Sequence, residues 1–168
     1  MKKIALLIFA LGILLTFTNC SDDIEFNNPS IQANRDGEFW RARYQAVDID
    51  NGGWVIEGGD YVETVQLITN NDIRGEFVLG GENNPNIAIF RDAEGTVYST
   101  ANEPHPSLSL YPAEGLIDVD DITNDDPKRI RGTFWFTAYS ADGMKVINLN
   151  QGVFYMAPII GGLEQITN

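Results

Sequence analysis

The chain has 168 residues with 11 Lys and Arg, 24 Asp and Glu, one His and one Cys, for a formal charge of −13 at pH 7. Nucleic acid is excluded as a partner, because phosphate binding needs a basic patch and the nearest cluster, Lys128, Arg129 and Arg131, stands beside Asp125 and Asp126. A single cysteine allows no intrachain disulfide, so stability must come from a packed core.

In chain order, Lys2 and Lys3 precede a 14-residue apolar run over residues 4–17, and Cys20 follows. The run is short of the roughly 20 apolar residues a spanning helix needs, and its charge order is that of a signal peptide, predicted over residues 1–19. Cys20 stands where a lipoprotein signal peptidase would leave it as the new N-terminus, so the segment resembles that of a bacterial lipoprotein. Phe17, Thr18 and Asn19 depart from the commonest residues before such a cysteine. A free thiol at Cys20 is the weaker reading, because an exposed unpaired thiol in an exported protein is a liability. Ser21, Asp22, Asp23 and Glu25 resemble the acidic export signal of Bacteroidota lipoproteins, and the alternative is a solvated tether over residues 20–30. Removing residues 1–19 takes away Lys2 and Lys3 and no acid, leaving 9 basic against 24 acidic residues and a charge of −15. Acidity disfavours adhesion to anionic lipid, so acyl chains on Cys20 would anchor the protein in outer-membrane lipid. The expected location is the outer membrane, at the cell surface or on its periplasmic face.

Residues 31–160 suffice for one domain, followed by a C-terminal tail over 161–168. Turn signals recur at short spacing: RDG at 35–37, DNGG at 50–53, GGD at 58–60, NND at 70–72, GGENNPN at 80–86, DAEG at 92–95, PAEG at 112–115, ADG at 141–143 and NQG at 150–152. All seven prolines fall in or beside such segments. Between them lie β-branched and aromatic runs of period two: EFWRARYQA, WVIEG, YVETVQLIT, NIAIFR, TVYST, LIDVDDIT, RGTFWFTAY, KVINLN and GVFYMA. In the first, Trp40, Ala42, Tyr44 and Ala46 share a face. The prediction is an all-β domain, an antiparallel β-sandwich of about nine or ten strands, with a closed up-and-down β-barrel as the alternative.

One pattern repeats. ITNNDIRGEFVL (68–79) is echoed by ITNDDPKRIRGTFWF (122–136), with Ile73, Arg74, Gly75 and Phe77 falling on Ile130, Arg131, Gly132 and Phe134. Each copy reads as strand, polar turn, strand, and predicts a duplicated hairpin whose glycine leaves room for a neighbouring ring or marks a bulge. Arg74 and Arg131 are the only shared cations, and clamping an anion is the functional alternative to local charge balance. The order RDGEFWRA, GGWVIEG, VQLIT, RGEFVL, IAIFRD, AEGLIDVDDIT, IRGTFWFTA and NLNQGVF resembles a domain of unknown function widespread in Bacteroidota lipoproteins. That family shows an opening Gly-x-x-Trp-x-Ala, a late Gly-x-Phe strand and a closing Asn-x-x-Gly-x-Phe. The resemblance covers residues 31–156 and implies no activity or site residues.

Chemistry is sparse. His105 sits between Pro104 and Pro106 beside Glu103 and Ser107, without the surroundings of a nucleophile elbow. One His and a lipidated Cys make zinc unfavourable. DIDNGG at 48–53 opens like an EF-hand loop but has Gly52 and Gly59 at its fifth and twelfth positions. Asp118, Asp120 and Asp121 are the weak candidates for calcium; no other cofactor is expected. Trp135 and Trp54 are the candidate ligand-facing rings, since exposed aromatics on β-sheets stack on sugars. Trp135 alternates with Phe134 and Phe136 and shares its face with Thr133 and Thr137. The expectation is a non-catalytic envelope protein binding an extracellular glycan or protein. The alternative is a structural or accessory subunit of an outer-membrane or periplasmic complex with no small ligand.

Overall fold

The structure, a computed structural model, describes residues 30–166 apart from 82, 109 and 110. The predicted signal peptide, Cys20 and the acidic residues Ser21, Asp22, Asp23 and Glu25 lie outside the described residues. Eleven strands follow one another: β1 (Ser30–Arg35), β2 (Glu38–Arg41), β3 (Tyr44–Asp48), β4 (Val55–Gly59), β5 (Thr64–Ile68) and β6 (Gly75–Leu79). After them come β7 (Ile87–Arg91), β8 (Val97–Ser99), β9 (Glu114–Ile122), β10 (Arg129–Ser140) and β11 (Val146–Pro158). A 3-10 turn, Pro106–Leu108, interrupts the crossing from β8 to β9. The domain is all-β and antiparallel, as its alternating runs and turn spacing predict.

All eleven strands share one curled sheet, part-way between the sandwich and the barrel that the sequence leaves open. The main path runs β2-β1-β11-β10-β8-β7-β5-β4-β3, and β9 with β6 branches from β10. The branch is possible because β10 is long: residues 130–137 pair with β9, while Tyr139 and Ser140 pair with β8. The two ends of the path, β2 and β3, are consecutive in the chain. At the corner between them the Ala42 amide donates to Ile31 of β1 (2.8 Å) and the Arg43 amide to Gly59 of β4 (2.7 Å). The run EFWRARYQA is therefore bent into two strands, and Tyr44 emerges exposed while Trp40, Ala42 and Ala46 stay buried. A parallel bridge from Val47 to Ile159 draws β3 toward the end of β11.

The concave side is filled by the inward positions of every strand, among them the fully buried Phe90, Phe136 and Phe154. Each such side chain contributes about 1.5–3 kcal/mol by leaving water. Trp40 meets Phe90 edge-on, with centroids 6.0 Å apart. Its indole N–H donates to Glu63 Oε2 (3.0 Å), and Glu63 also pairs with Arg35, whose guanidinium lies over Phe90.

Two differences from the sequence reading bear on the site. The first concerns the echo. Its second copy is a hairpin, β9–β10, but the first is not: β5 pairs with β4 and β7, and β6 crosses to pair with β9. The returning strands of both copies instead flank β9 in matching register, Gly75 and Gly132 on Val119, Phe77 and Phe134 on Ile117. Ile73 precedes β6 and is exposed, whereas its counterpart Ile130 is buried. The second concerns NQG at 150–152, which is a bulge within β11 and not a turn. Phe134 pairs with Gly152 and Phe136 with Leu149, so Asn150 and Gln151 together oppose Trp135, with Gln151 at φ 52°. β1 also differs: SIQANR forms a strand paired on both sides, with β2 and β11, although its composition is polar.

The edge of β6 away from β9 is dressed by side chains. Asn84 Nδ2 donates to the carbonyls of Val78 (2.9 Å) and Gly80 (2.8 Å), and Asn86 Nδ2 to Val78 (3.2 Å). The segment expected as a tail is tied down along the other flank. Asp48 Oδ2 accepts from the Leu163 amide (2.8 Å), and the buried Gln66 donates to the Glu164 carbonyl and accepts from the Ile166 amide, both at 2.9 Å.

Candidate functional site

Alternation along β10 sends Phe134, Phe136 and Ala138 into the core and Arg131, Thr133, Trp135 and Thr137 to the convex face. Trp135 is 39 % exposed, against 6 % for Trp40 and 2 % for Trp54. The Trp54 backbone amide donates to Thr69 Oγ1, and its indole N–H to the Ile73 carbonyl (2.9 Å), so this ring is a core residue and not a ligand-facing one. Trp135 pairs across β9 with Leu116 and, beyond it, Val78, which is exposed. On its other side stands the bulge of β11, where two residues take the place of a single cross-strand neighbour. Bulges of this kind interrupt the ladder and re-aim side chains.

A hollow lies toward each end of this row, one bordered by Thr137 and the other by Thr133, and Trp135 itself lines neither. The first, about 470 Å³, is walled by Thr137 and Tyr139 of β10, Val146 and Asn148 of β11, Glu114 of β9, and Ser107 and Tyr111 of the crossing after β8. The Tyr139 hydroxyl donates to the Tyr111 carbonyl, and the Asn102 amide donates to the Tyr139 carbonyl (2.7 Å), holding that crossing over the sheet. Burial pushes the Tyr139 phenol above its ordinary range, which keeps it a donor. Thr137 Oγ1 donates to Asn148 Oδ1 (2.9 Å), and Asn148 donates to Asp36 at the β1–β2 turn. The second hollow, about 430 Å³, lies toward the start of β10 among Asp120, Arg131, Thr133, Val153 and Tyr155. Mostly apolar walls with a few fixed polar groups suit a small or chain-like organic ligand.

A model of DUF6252, a domain of unknown function, matches residues 27–158. The chain belongs to the DUF6252 family. Neither a curated protein nor a solved structure matches it. The match spans β1 to β11, so both hollows and Trp135 belong to the DUF6252 domain.

Within this DUF6252 domain the other candidates are scattered. Asp121 is taken by the two echoed arginines, with Arg131 Nη2 at 3.0 Å and Arg74 Nη1 at 3.9 Å, so the two cations of the anion-clamp alternative already face an internal carboxylate. Asp118 lies on the convex face opposite Glu76 and Thr133, and burial, then Asp120 and Glu76, raise its carboxyl above the ordinary Asp range. Asp120 edges the second hollow. Among the described residues no group of three or more His, Cys, Asp or Glu side chains is placed to hold a metal ion. DIDNGG is the β3–β4 turn, where Asp48 accepts from the Asp50 amide (2.7 Å). His105 Nδ1 and Ser107 Oγ lie 2.8 Å apart, and the Ser107 amide also donates to Nδ1, a contact of neighbours in a local turn.

Sequence reasoning finds Trp135, Thr133 and Thr137 by alternation. It misses Tyr111, whose place depends on the crossing, and Tyr139, whose outward position was readable in RGTFWFTAY but whose partner was not.

Proposed function

We propose that this DUF6252 protein is a lipid-anchored, non-catalytic cell-envelope protein that binds an extracellular glycan on the convex face of β10. The observation that supports the reading most is the half-exposed Trp135, set opposite a two-residue bulge, with its row neighbours Thr133 and Thr137 each bordering a hollow. An indole on the outward face of a sheet offers a sugar an apolar platform at little entropic cost, while Thr133, Thr137 and Asn148 supply hydroxyl and amide partners. Because the other two tryptophans are buried, fluorescence quenching by acrylamide reports mainly on Trp135. Titration with a bound oligosaccharide is expected to protect that signal, and Trp135→Ala to weaken binding by about tenfold or more without loss of fold. Undiminished binding by Trp135→Ala would remove the face from consideration.

The anchoring half of the reading rests on Lys2, Lys3, the apolar run and Cys20, and the outer-surface location on Ser21, Asp22, Asp23 and Glu25. Protease treatment of intact cells is expected to digest the natural protein and spare a variant with Ala at 21, 22 and 23. Protection of both would place the domain on the periplasmic side.

A second reading, an accessory subunit docking on an envelope complex, draws on Tyr44, Tyr61 and Val62, which are exposed near the β2–β3 corner. Arg43 lies over the Tyr61 ring, with 5.5 Å from its guanidinium carbon to the centroid. Exposed rings beside a cation are common at protein interfaces. Site-specific photo-crosslinking from position 61 on cells, yielding one defined adduct, would favour it.

A further inference from the structure

The row that carries Trp135 does more than expose one ring. Thr133, Trp135 and Thr137 are successive outward positions, so the two threonines stand roughly 13 Å apart along β10. Each borders a hollow, of about 430 and 470 Å³, and Trp135, which lines neither, is the outward position between them in the row. A single sugar on Trp135 would leave both hollows empty, whereas a chain lying along β10 would fill one, cross the ring and fill the other.

Charge narrows the chemistry. Glu76 and Asp118 face the same side as Thr133, Asp120 edges the second hollow, and Glu114 lines the first. The cation at hand, Arg131, is paired with Asp121. An anionic polymer such as a uronate or sulfated glycan would bring like charge onto this surface and find its countercharge already engaged.

We infer that the ligand is an uncharged oligosaccharide of at least three units, laid along β10 with its middle unit on Trp135 and a neighbour in each hollow. The inference rests on the glycan-binding reading and adds chain length and charge to it. The test is calorimetric titration of the full chain in detergent micelles with neutral gluco- and xylo-oligosaccharides of one to four units, and with galacturonic acid oligomers of the same lengths. Tyr111→Ala, an exposed wall of the first hollow whose carbonyl contact to Tyr139 is left in place, is titrated beside the natural chain.

The dissociation constant is expected to fall by about tenfold or more from one unit to three in a neutral series, the gain of one or two added contacts. The uronate series is expected to bind more weakly, and Tyr111→Ala to flatten the dependence on length. Binding that needs Trp135 yet is as tight for one unit as for three, or that prefers uronates, overturns the inference and leaves the glycan reading standing. No binding in any series, with Trp135 fluorescence unmoved, overturns both.

Discussion

Gly75 and Gly132 hold the same position of the echoed pattern and flank the same Val119, yet a methyl group is refused at each for a different reason. At Gly132 a Cβ would collide with the Asp118 carbonyl and the Phe154 ring, its cross-strand partner. At Gly75 there is open space but φ is 139°, a backbone conformation that side chains avoid. Gly152 repeats the first case in mirror fashion, with the Phe134 ring 2.6 Å from where its Cβ would be. Gly132→Ala is therefore expected to cost about 3 kcal/mol by overpacking and Gly75→Ala about 1–2 kcal/mol by strain, read from chemical denaturation. Adding Phe154→Leu should restore part of the loss at 132 and none at 75. Equal recovery at both positions would contradict this account.

At the scale of elements, the turn of β3–β4 and the segment after β11 meet at one carboxylate. The Asp50 amide and then the Leu163 amide hold Asp48 below the ordinary Asp value of 3.8. A lowered folded value means stability that is present above the unfolded pKa and lost as pH falls through the folded one. Asp48→Asn should cost about 1–2 kcal/mol at neutral pH. The gap to the natural chain should stay level above about pH 5 and close below 3.8. A gap that widens on acidification would rule out this role. That attachment was not legible in the sequence, since nothing local in GGLEQI announces a partner more than a hundred residues away. The same limit explains β6: ITNNDIRGEFVL has the local pattern of a hairpin, but its pairing to β9 is decided by β9's free side. Alternation, by contrast, is local, and RGTFWFTAY displayed its two faces without help. Trp54 is in step with Ile56 on the core side, so period two carried through WVIEG points its ring inward as well.

For the molecule as a whole, closure decides which backbone remains available. The corner at Ala42 and Arg43 joins the two ends of the main path, and β6 is left with β9 on one side and the Asn84 and Asn86 amides on the other. An undressed strand edge invites a second molecule to add to the sheet. Replacing both Asn84 and Asn86 by Ala is expected to raise self-association in sedimentation velocity at matched concentration. A variant that stays monomeric would show that the excess of acidic residues alone keeps copies apart.

The place of β1 has a mechanical consequence. Load arriving through the N-terminal segment enters a strand held by ladders on both sides, β2 and β11, and not one at an edge. To free such a strand from its end, rungs of two ladders must break where an edge strand would lose those of one. A domain tethered from that end would thus resist drag on its bound ligand at the very element through which the pull is transmitted.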